Sequence, residues 1–333
     1  MNNRLKSALQ YLLLIFLTVL LLWLSLRGLQ VGEGENKTDF LWQAWKKSNK
    51  VYLMLMAITV MISHVIRAER WRMLLKPTGN QISFGGSFLS LMIGYLVNLA
   101  IPRGGELSRC YNLYKLENTP VEVSFGTVVV ERIVDVICLV TLIALSFFVE
   151  WKKLKAFIDS LQFPSSSGST ISPWVILISI GVAAFILILF LLRKNEKFKK
   201  VISGFKEGLL AVFQLKNKGL FIFYSIAIWA LYFLMSYLVL KAFSETQELG
   251  VSAVLTLFAI GSIAMAVPLP GGAGSYHTLV PMGLVALYNL PQADAIAFVF
   301  IFHGWQTLIT ILGGVVSLII SYWIIRWKRA HEK

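Results

Sequence analysis

Only 17 of the 333 residues are acidic, and only two, Cys110 and Cys138, are cysteine. Two thiols so placed offer no disulfide framework and no metal-ligand spacing. No metal cluster, no phosphate-cradling glycine loop and no nucleophile–histidine motif stands out along the sequence. Charged residues make up 14% and hydrophobic residues 57%, with a mean hydropathy of +0.71. That balance excludes an ordinary soluble domain and predicts a core that faces lipid. The net charge of +14 comes from a few loops. It reads as anchoring beside anionic headgroups on the cytoplasmic side, not as nucleic-acid binding. A small-residue cleavage site is also missing after the apolar run Ala8 to Leu26, which follows Arg4 and Lys6. A retained first helix is therefore expected rather than a removed signal peptide.

What is present is a pair of interrupted apolar segments at corresponding places in the two halves. The first reads GYLVNLAIPRGGELSR, from Gly94 to Arg109; the second reads GSIAMAVPLPGGAGSY, from Gly261 to Tyr276. They match at Gly94/Gly261, Gly104/Gly271 and Gly105/Gly272, with Pro102 and Pro268 one place out of step. The polar stretch PSSSGSTIS, Pro164 to Ser172, lies between the halves. Matched interrupted segments are a pointer to a transporter site at mid-membrane depth.

A span needs about 20 apolar residues. Candidates are 8–26, 51–66, 120–149, 174–192, 220–243 and 292–325, with 84–101, 251–267 and 275–290 left ambiguous. Lysine and arginine crowd residues 67–76, 193–218 and the tail from Arg326 to Lys333, which places these loops and both termini on the cytoplasmic side. Residues 84–115 and 251–290 must then each enter and leave by one face. The expected fold is an all-α integral membrane protein, a single domain over 1–333. It comprises a first repeat (1–163), a linker (164–172) and a second repeat (173–333). Each half has two helices, a re-entrant hairpin and one long helix, with the two halves inverted. That makes six full spans and two hairpins, or eight helices if the hairpins count as spans.

Several polar residues lie at depth. Glu131, Arg132 and Asp135 sit within VVVERIVDVICLV, and Glu131 falls about 17 Å along its helix, near the middle of a core about 30 Å thick. Arg132 and Asp135 are three apart and can pair, while Glu131 and Asp135 share a face. Ionisable groups so placed line a path or tie helices together. His303 and Gln306 occupy the corresponding places in the second half, where His303 is a candidate for a proton-coupled step. At the first turn Arg103, Glu106 and Arg109 surround Gly104 and Gly105, with Asn98 one turn earlier. Glycines admit a ligand close to backbone amides, and arginine can hold phosphate oxygens bidentately. The second turn, Gly271 and Gly272, offers Ser275, Tyr276 and His277 without charge. Arg67, Arg70 and Arg72, beside Trp71, mark a cytoplasmic boundary where an anionic headgroup could enter or where the helix is simply anchored.

On RAERWRMLL, GYLVNLAIPRGGELSR, ERIVD and PLPGGAGSYH, taken in that order, nearly the whole chain resembles the lysylphosphatidylglycerol synthase transmembrane-region family, the flippase-like integral membrane proteins. The resemblance implies the part that moves a lipid between leaflets, in a stand-alone form without the cytosolic synthase domain. It implies no cofactor. A separate lipid-modifying or glycan-pathway enzyme is an implied partner. The family often carries an arginine–glutamate pair after the second glycine pair, and here Ser275, Tyr276 and His277 stand in that region. The expected activity is translocation of an anionic amphipathic lipid, a phospholipid or a polyprenyl-phosphate-linked lipid, across the cytoplasmic membrane. The alternatives are a membrane enzyme acting on a lipid phosphate and a small-solute or ion transporter.

Overall fold

The computed structural model describes residues 36–160, 196–266 and 274–331, together with positions 20, 23, 26 and 269. Among the described residues all regular structure is helical. The helices are α1 (Lys37–Lys47), α2 (Lys50–Leu75), α3 (Phe84–Ala100), α4 (Gly104–Glu117), α5 (Val121–Ser160), α6 (Glu196–Leu210), α7 (Lys218–Lys241), α8 (Val251–Ala266), α9 (Ser275–Tyr288) and α10 (Gln292–His331). Among the described residues four helical segments are long and apolar enough to cross a membrane: Lys50–Thr78, Val121–Asp159, Lys218–Lys241 and Gln292–His331. They carry the spans expected at 51–66, 120–149, 220–243 and 292–325. The spans expected at 8–26 and 174–192 and the linker at 164–172 fall outside the described residues, save for isolated positions of the first.

Local chemistry sets the helix ends. The side chains of Asn49 and Asn217 accept from Val51 N and Leu220 N, capping α2 and α7. Ser83 Oγ accepts from Gly86 N at 2.9 Å to start α3, and donates to Glu117 Oε1 at 2.6 Å near the end of α4. Helix α5 loses helical geometry at Glu150, where the expected span ends. In α2, Leu53, Met56, Val60, Ser63, Arg67, Arg70 and Leu74 recur every three or four residues and are buried. Met54, Ile58, Ile62 and Val65 on the other face are exposed. An apolar exposed face opposite a partly polar buried one is the arrangement of a helix solvated by lipid.

Helices α3 and α4 pack as an antiparallel pair around Gly94 and Gly105. A Cβ on Gly94 would lie 2.9 Å from Gly105 O, and one on Gly105 would collide with Gly94 O and the Asn98 amide. Glycine at both places lets the backbones touch. Helices α8 and α9 pair in the same sense, with Gly261 against the Tyr276 ring and Ser275 Oγ donating to Ala264 O at 2.7 Å. The two pairs also finish alike. Both α4 and α9 have 14 residues, and each ends on an asparagine in the left-handed region, Asn118 (φ 56°) and Asn289 (φ 54°). A proline follows two residues later, Pro120 or Pro291, and then a helix of 40 residues. Contacts between the halves are reciprocal: α3 lies on α10, α8 lies on α5, and α2 lies along α7.

Candidate functional site

Helices α2, α4 and α5 meet in a buried layer of charge. Arg70 Nη2 donates to Asp135 Oδ1 at 2.8 Å and approaches Glu131 Oε1 at 3.4 Å, while its Nη1 donates to Ser225 Oγ of α7 at 3.2 Å. Arg67 donates to Asp135 Oδ2 and, through Nη1, to Tyr232 OH of α7 at 2.8 Å. Arg109 of α4 donates to Glu131 Oε2, and its guanidinium lies 4.6 Å from the centre of the Trp71 ring. Trp71 is held in turn by its Nε1, which donates to Thr127 Oγ1 at 3.0 Å. At the rim Arg132 bonds Glu106 Oε1 at 3.0 Å.

The stripes that build this layer come from helical spacing. On α5, Thr127, Glu131 and Asp135 succeed one another every four residues and face α2. On α2, Arg67, Arg70 and Trp71 form the answering turn. Four guanidiniums, of Arg67, Arg70, Arg109 and Arg132, meet three carboxylates, of Glu106, Glu131 and Asp135. The layer therefore carries one excess positive charge, and Arg109 Nε and Nη1 and Arg67 Nε are buried without a hydrogen-bond partner among the described residues.

Against that layer lies a cavity of about 570 Å³, bounded by the ends of both hairpins and by α2, α7 and α10. Tyr232 belongs to both, lining the cavity while it accepts from Arg67. Asn98, His303, Gln306 and Tyr276 line it too, and Met265, 48% exposed, stands at its edge. Asn98 also holds the first turn together, since its Oδ1 accepts from Gly105 N at 2.8 Å. His277 is buried beside the cavity with its ring 4.7 Å from that of His303. These two histidines are as far along the second half as Glu106 and Arg132 are along the first, counted from Asn289 and Asn118.

Several sequence expectations change in detail. Arg132 and Asp135, able to pair by spacing, do form an ion pair at 3.9 Å, but the closer partners of Asp135 are Arg67 and Arg70, and Arg132 lies closer to Glu106. The reason is reach: α2 presents two guanidiniums directly across from Asp135, whereas Arg132 points toward the start of α4. Arg67 and Arg70, read as a boundary entry, are buried in the ion layer. Of that trio Arg72 alone stays near the surface, bonded to Glu69 at 2.7 Å. Arg103 is exposed at the tip with φ 60° and has no hydrogen bond or ion pair among the described residues. Gly104 opens α4 beside it. Gly271 and Gly272 lie outside the described residues. Sequence reasoning overlooked Tyr95, Ser225, Trp229 and Tyr232. For α7 a signal existed, because Ser225, Trp229, Tyr232 and Ser236 fall on one helical face of an otherwise apolar segment.

The family model described as lysylphosphatidylglycerol synthase TM region matches residues 9–314. A UPF0104 membrane protein of Methanocaldococcus jannaschii is 26% identical over 82% of this chain and 86% of its own length. A UPF0104 membrane protein of Pyrococcus horikoshii is 25% identical over 80% and 86% respectively. The glycosyltransferase AglD of Haloferax volcanii is 24% identical over 79% of this chain, but that match covers only 48% of AglD. No solved structure matches the chain.

Proposed function

This integral membrane chain belongs to the lysylphosphatidylglycerol synthase TM region family, and from that premise we propose that it moves an anionic amphipathic lipid between the leaflets of the cytoplasmic membrane. The observation that carries this reading is the shared wall at Tyr232. A mostly apolar cavity stands on one side of it, and a buried layer with excess positive charge stands on the other. A lipid whose headgroup joins a negative group to uncharged parts needs both environments within one molecule. Exposed Arg103, at the tip of the first hairpin, is the group suited to meet a phosphate first. Arg109 is committed to Glu131 and Trp71, so its part is to position α4.

Both hairpins are re-entrant in this reading. Helices α3 and α4, with 17 and 14 residues, reach about 25 and 21 Å at 1.5 Å per residue, short of a core about 30 Å thick. The turn between them bonds its own amides: Gly105 N donates to Asn98 Oδ1, and Gly104 N to Ile101 O at 2.9 Å. Non-helical backbone at membrane depth demands such internal partners. The matched helix ends and the reciprocal contacts of α3 with α10 and α8 with α5 support two inverted halves. The basic loops at 67–76 and 193–218 and the basic tail support a cytoplasmic location for those loops and both termini. The lipid is a phospholipid or a polyprenyl-phosphate-linked carrier. The relative named a glycosyltransferase favours a pathway of lipid-linked sugars.

The test is reconstitution of the full chain in liposomes carrying fluorescent phosphatidylglycerol or polyprenyl phosphate. Label on the inner leaflet should become accessible to a membrane-impermeant quencher, and Arg103→Ala should slow that exchange at least tenfold. Unchanged leaflet distribution overturns the proposal. A new lipid product in the same vesicles would instead make the protein a membrane enzyme.

A further inference from the structure

The cavity is not lined for a phosphate. Among its described lining residues there is no Asp, Glu, Lys or Arg, so an anionic group placed inside would lose its hydration without gaining a countercharge there. Nor is it lined for acyl chains alone. Ser63, His64, Tyr95, Asn98, Gln306 and Thr310 all face it. His64 Nδ1, Tyr95 OH and Trp229 Nε1, on residues of its walls, are buried away from the open space and have no hydrogen-bond partner among the described residues.

The rest of the lining is aliphatic and aromatic, with Trp229, Tyr232, Phe258, Tyr276, Phe298 and Phe302 supplying the rings. Trp229 meets Tyr232 and Phe258 edge-on, with centroids 5.8 and 6.0 Å apart. Tyr276 meets Phe302 and His303 at 6.1 and 5.6 Å. Flat rings with polar edges, alternating with uncharged amides and hydroxyls, suit one class of ligand well. That ligand has apolar C–H faces, a belt of hydroxyl donors and acceptors, and no charge. A sugar ring has this form. The volume, about 570 Å³, falls in the range of about 300–1,000 Å³ typical of sites for molecules of this size.

We propose that the cavity holds the glycosyl part of a lipid-linked sugar, with the lipid's phosphate held outside it by exposed Arg103 at the tip of the first hairpin. The geometry of Tyr232 supplies the link, since its hydroxyl accepts from Arg67 at 2.8 Å while the residue lines the cavity. Sugar and phosphate, adjacent in the ligand, thus meet a neutral chamber backed by a buried layer with excess positive charge. This assignment rests on the translocation reading and narrows it from anionic lipids in general to glycosylated carriers.

Native mass spectrometry of the full chain with three defined lipids tests it. These are glucosyl polyprenyl phosphate, the same polyprenyl phosphate without sugar, and phosphatidylglycerol. The glucosylated carrier should bind at least tenfold more tightly than the sugar-free one. In Trp229→Leu, and separately in Gln306→Leu, that ratio should fall toward one. The pair of variants guards against misfolding of either, because a ratio within one protein is insensitive to the fraction folded. Equal affinity of wild type for both carriers overturns the sugar assignment and leaves lipid translocation standing. So does a preference that neither variant reduces. If none of the three lipids binds or changes leaflet, the translocation reading itself fails, and the sugar assignment fails with it.

Discussion

The junction of α4 with α5 in the first half and that of α9 with α10 in the second are built on one plan but filled with different chemistry. Each joins a 14-residue helix to a 40-residue one through a left-handed asparagine and a proline. In the first, Glu106 meets Arg132, and Glu131 gathers Arg70 and Arg109. In the second, His277 meets His303 and the counterpart of Glu131 is Phe302. Two similarly built junctions thus carry charge on one side of the cavity and neutral rings on the other. Such asymmetry suits a ligand with a charged part and an uncharged part.

The comparison breaks most visibly at Glu131. Changing it to Gln leaves Arg67, Arg70 and Arg109 facing Asp135 alone, all of them buried. Loss of one partner from a buried ion cluster costs about 3–5 kcal/mol. Glu131→Gln should therefore unfold at much lower temperature in detergent and accumulate poorly in membranes. Phe302→Leu, at the matching place, exchanges one apolar side chain for another and should cost under about 1.5 kcal/mol. Similar losses at the two sites, measured by thermal unfolding, would show that the charge layer is no more critical than ordinary packing.

How far the sequence discloses these two junctions depends on the contrast between a residue and its background. Glu131 and Asp135 are conspicuous because an ionisable side chain is costly inside an apolar helix. Their true partners are less so. Arg67 and Arg70 sit near a helix end, where arginine is ordinarily an anchor, and only packing of α2 on α5 turns them inward. The first hairpin is legible in Pro102, Gly104 and Gly105, since those residues interrupt any helix. The cavity was legible in part: Asn98, Tyr276, His303 and Gln306 stand out as polar or ring-bearing residues near the interrupted segments, and all line it. Tyr95, Trp229 and Phe258 are unremarkable in membrane helices, and nothing local distinguishes a ring facing lipid from one facing a chamber. A further clue was the stripe of Ser225, Trp229, Tyr232 and Ser236 on α7, which becomes meaningful only once α7 is known to lie against α2.

The second test converts one junction into the other. His303→Arg alone puts an unpaired guanidinium opposite His277 in a neutral, half-buried region, at a cost above the roughly 1–3 kcal/mol of an unsatisfied neutral group. Adding His277→Glu recreates the pairing of Arg132 with Glu106 and should recover most of that loss in thermal unfolding. The double variant, now charged at both ends, should still lose lipid exchange, because the neutral end of the cavity is gone. Recovery of exchange along with stability would mean that the asymmetry is incidental.

The smallest effect on stability, and the sharpest separation of fold from function, is expected at Arg103. Its φ of 60° places a side chain where only glycine is at ease, and the left-handed conformation costs a non-glycine residue about 1–2 kcal/mol. Arg103→Gly removes that strain, but it also loosens the unfolded chain, which offsets about 0.4–1 kcal/mol. The net change is a gain of under about 1.5 kcal/mol, so thermal unfolding should stay level or rise slightly. Because the guanidinium is exposed and bonds to no described residue, its loss breaks nothing inside the protein. Lipid exchange should nonetheless fall at least tenfold, as in Arg103→Ala. A strained arginine at a position suited to glycine makes sense when the side chain serves a ligand rather than the fold. If Arg103→Gly is stabler and exchanges lipid at the wild-type rate, the tip arginine has no part in headgroup capture, and the cationic layer behind Tyr232 must do that work alone.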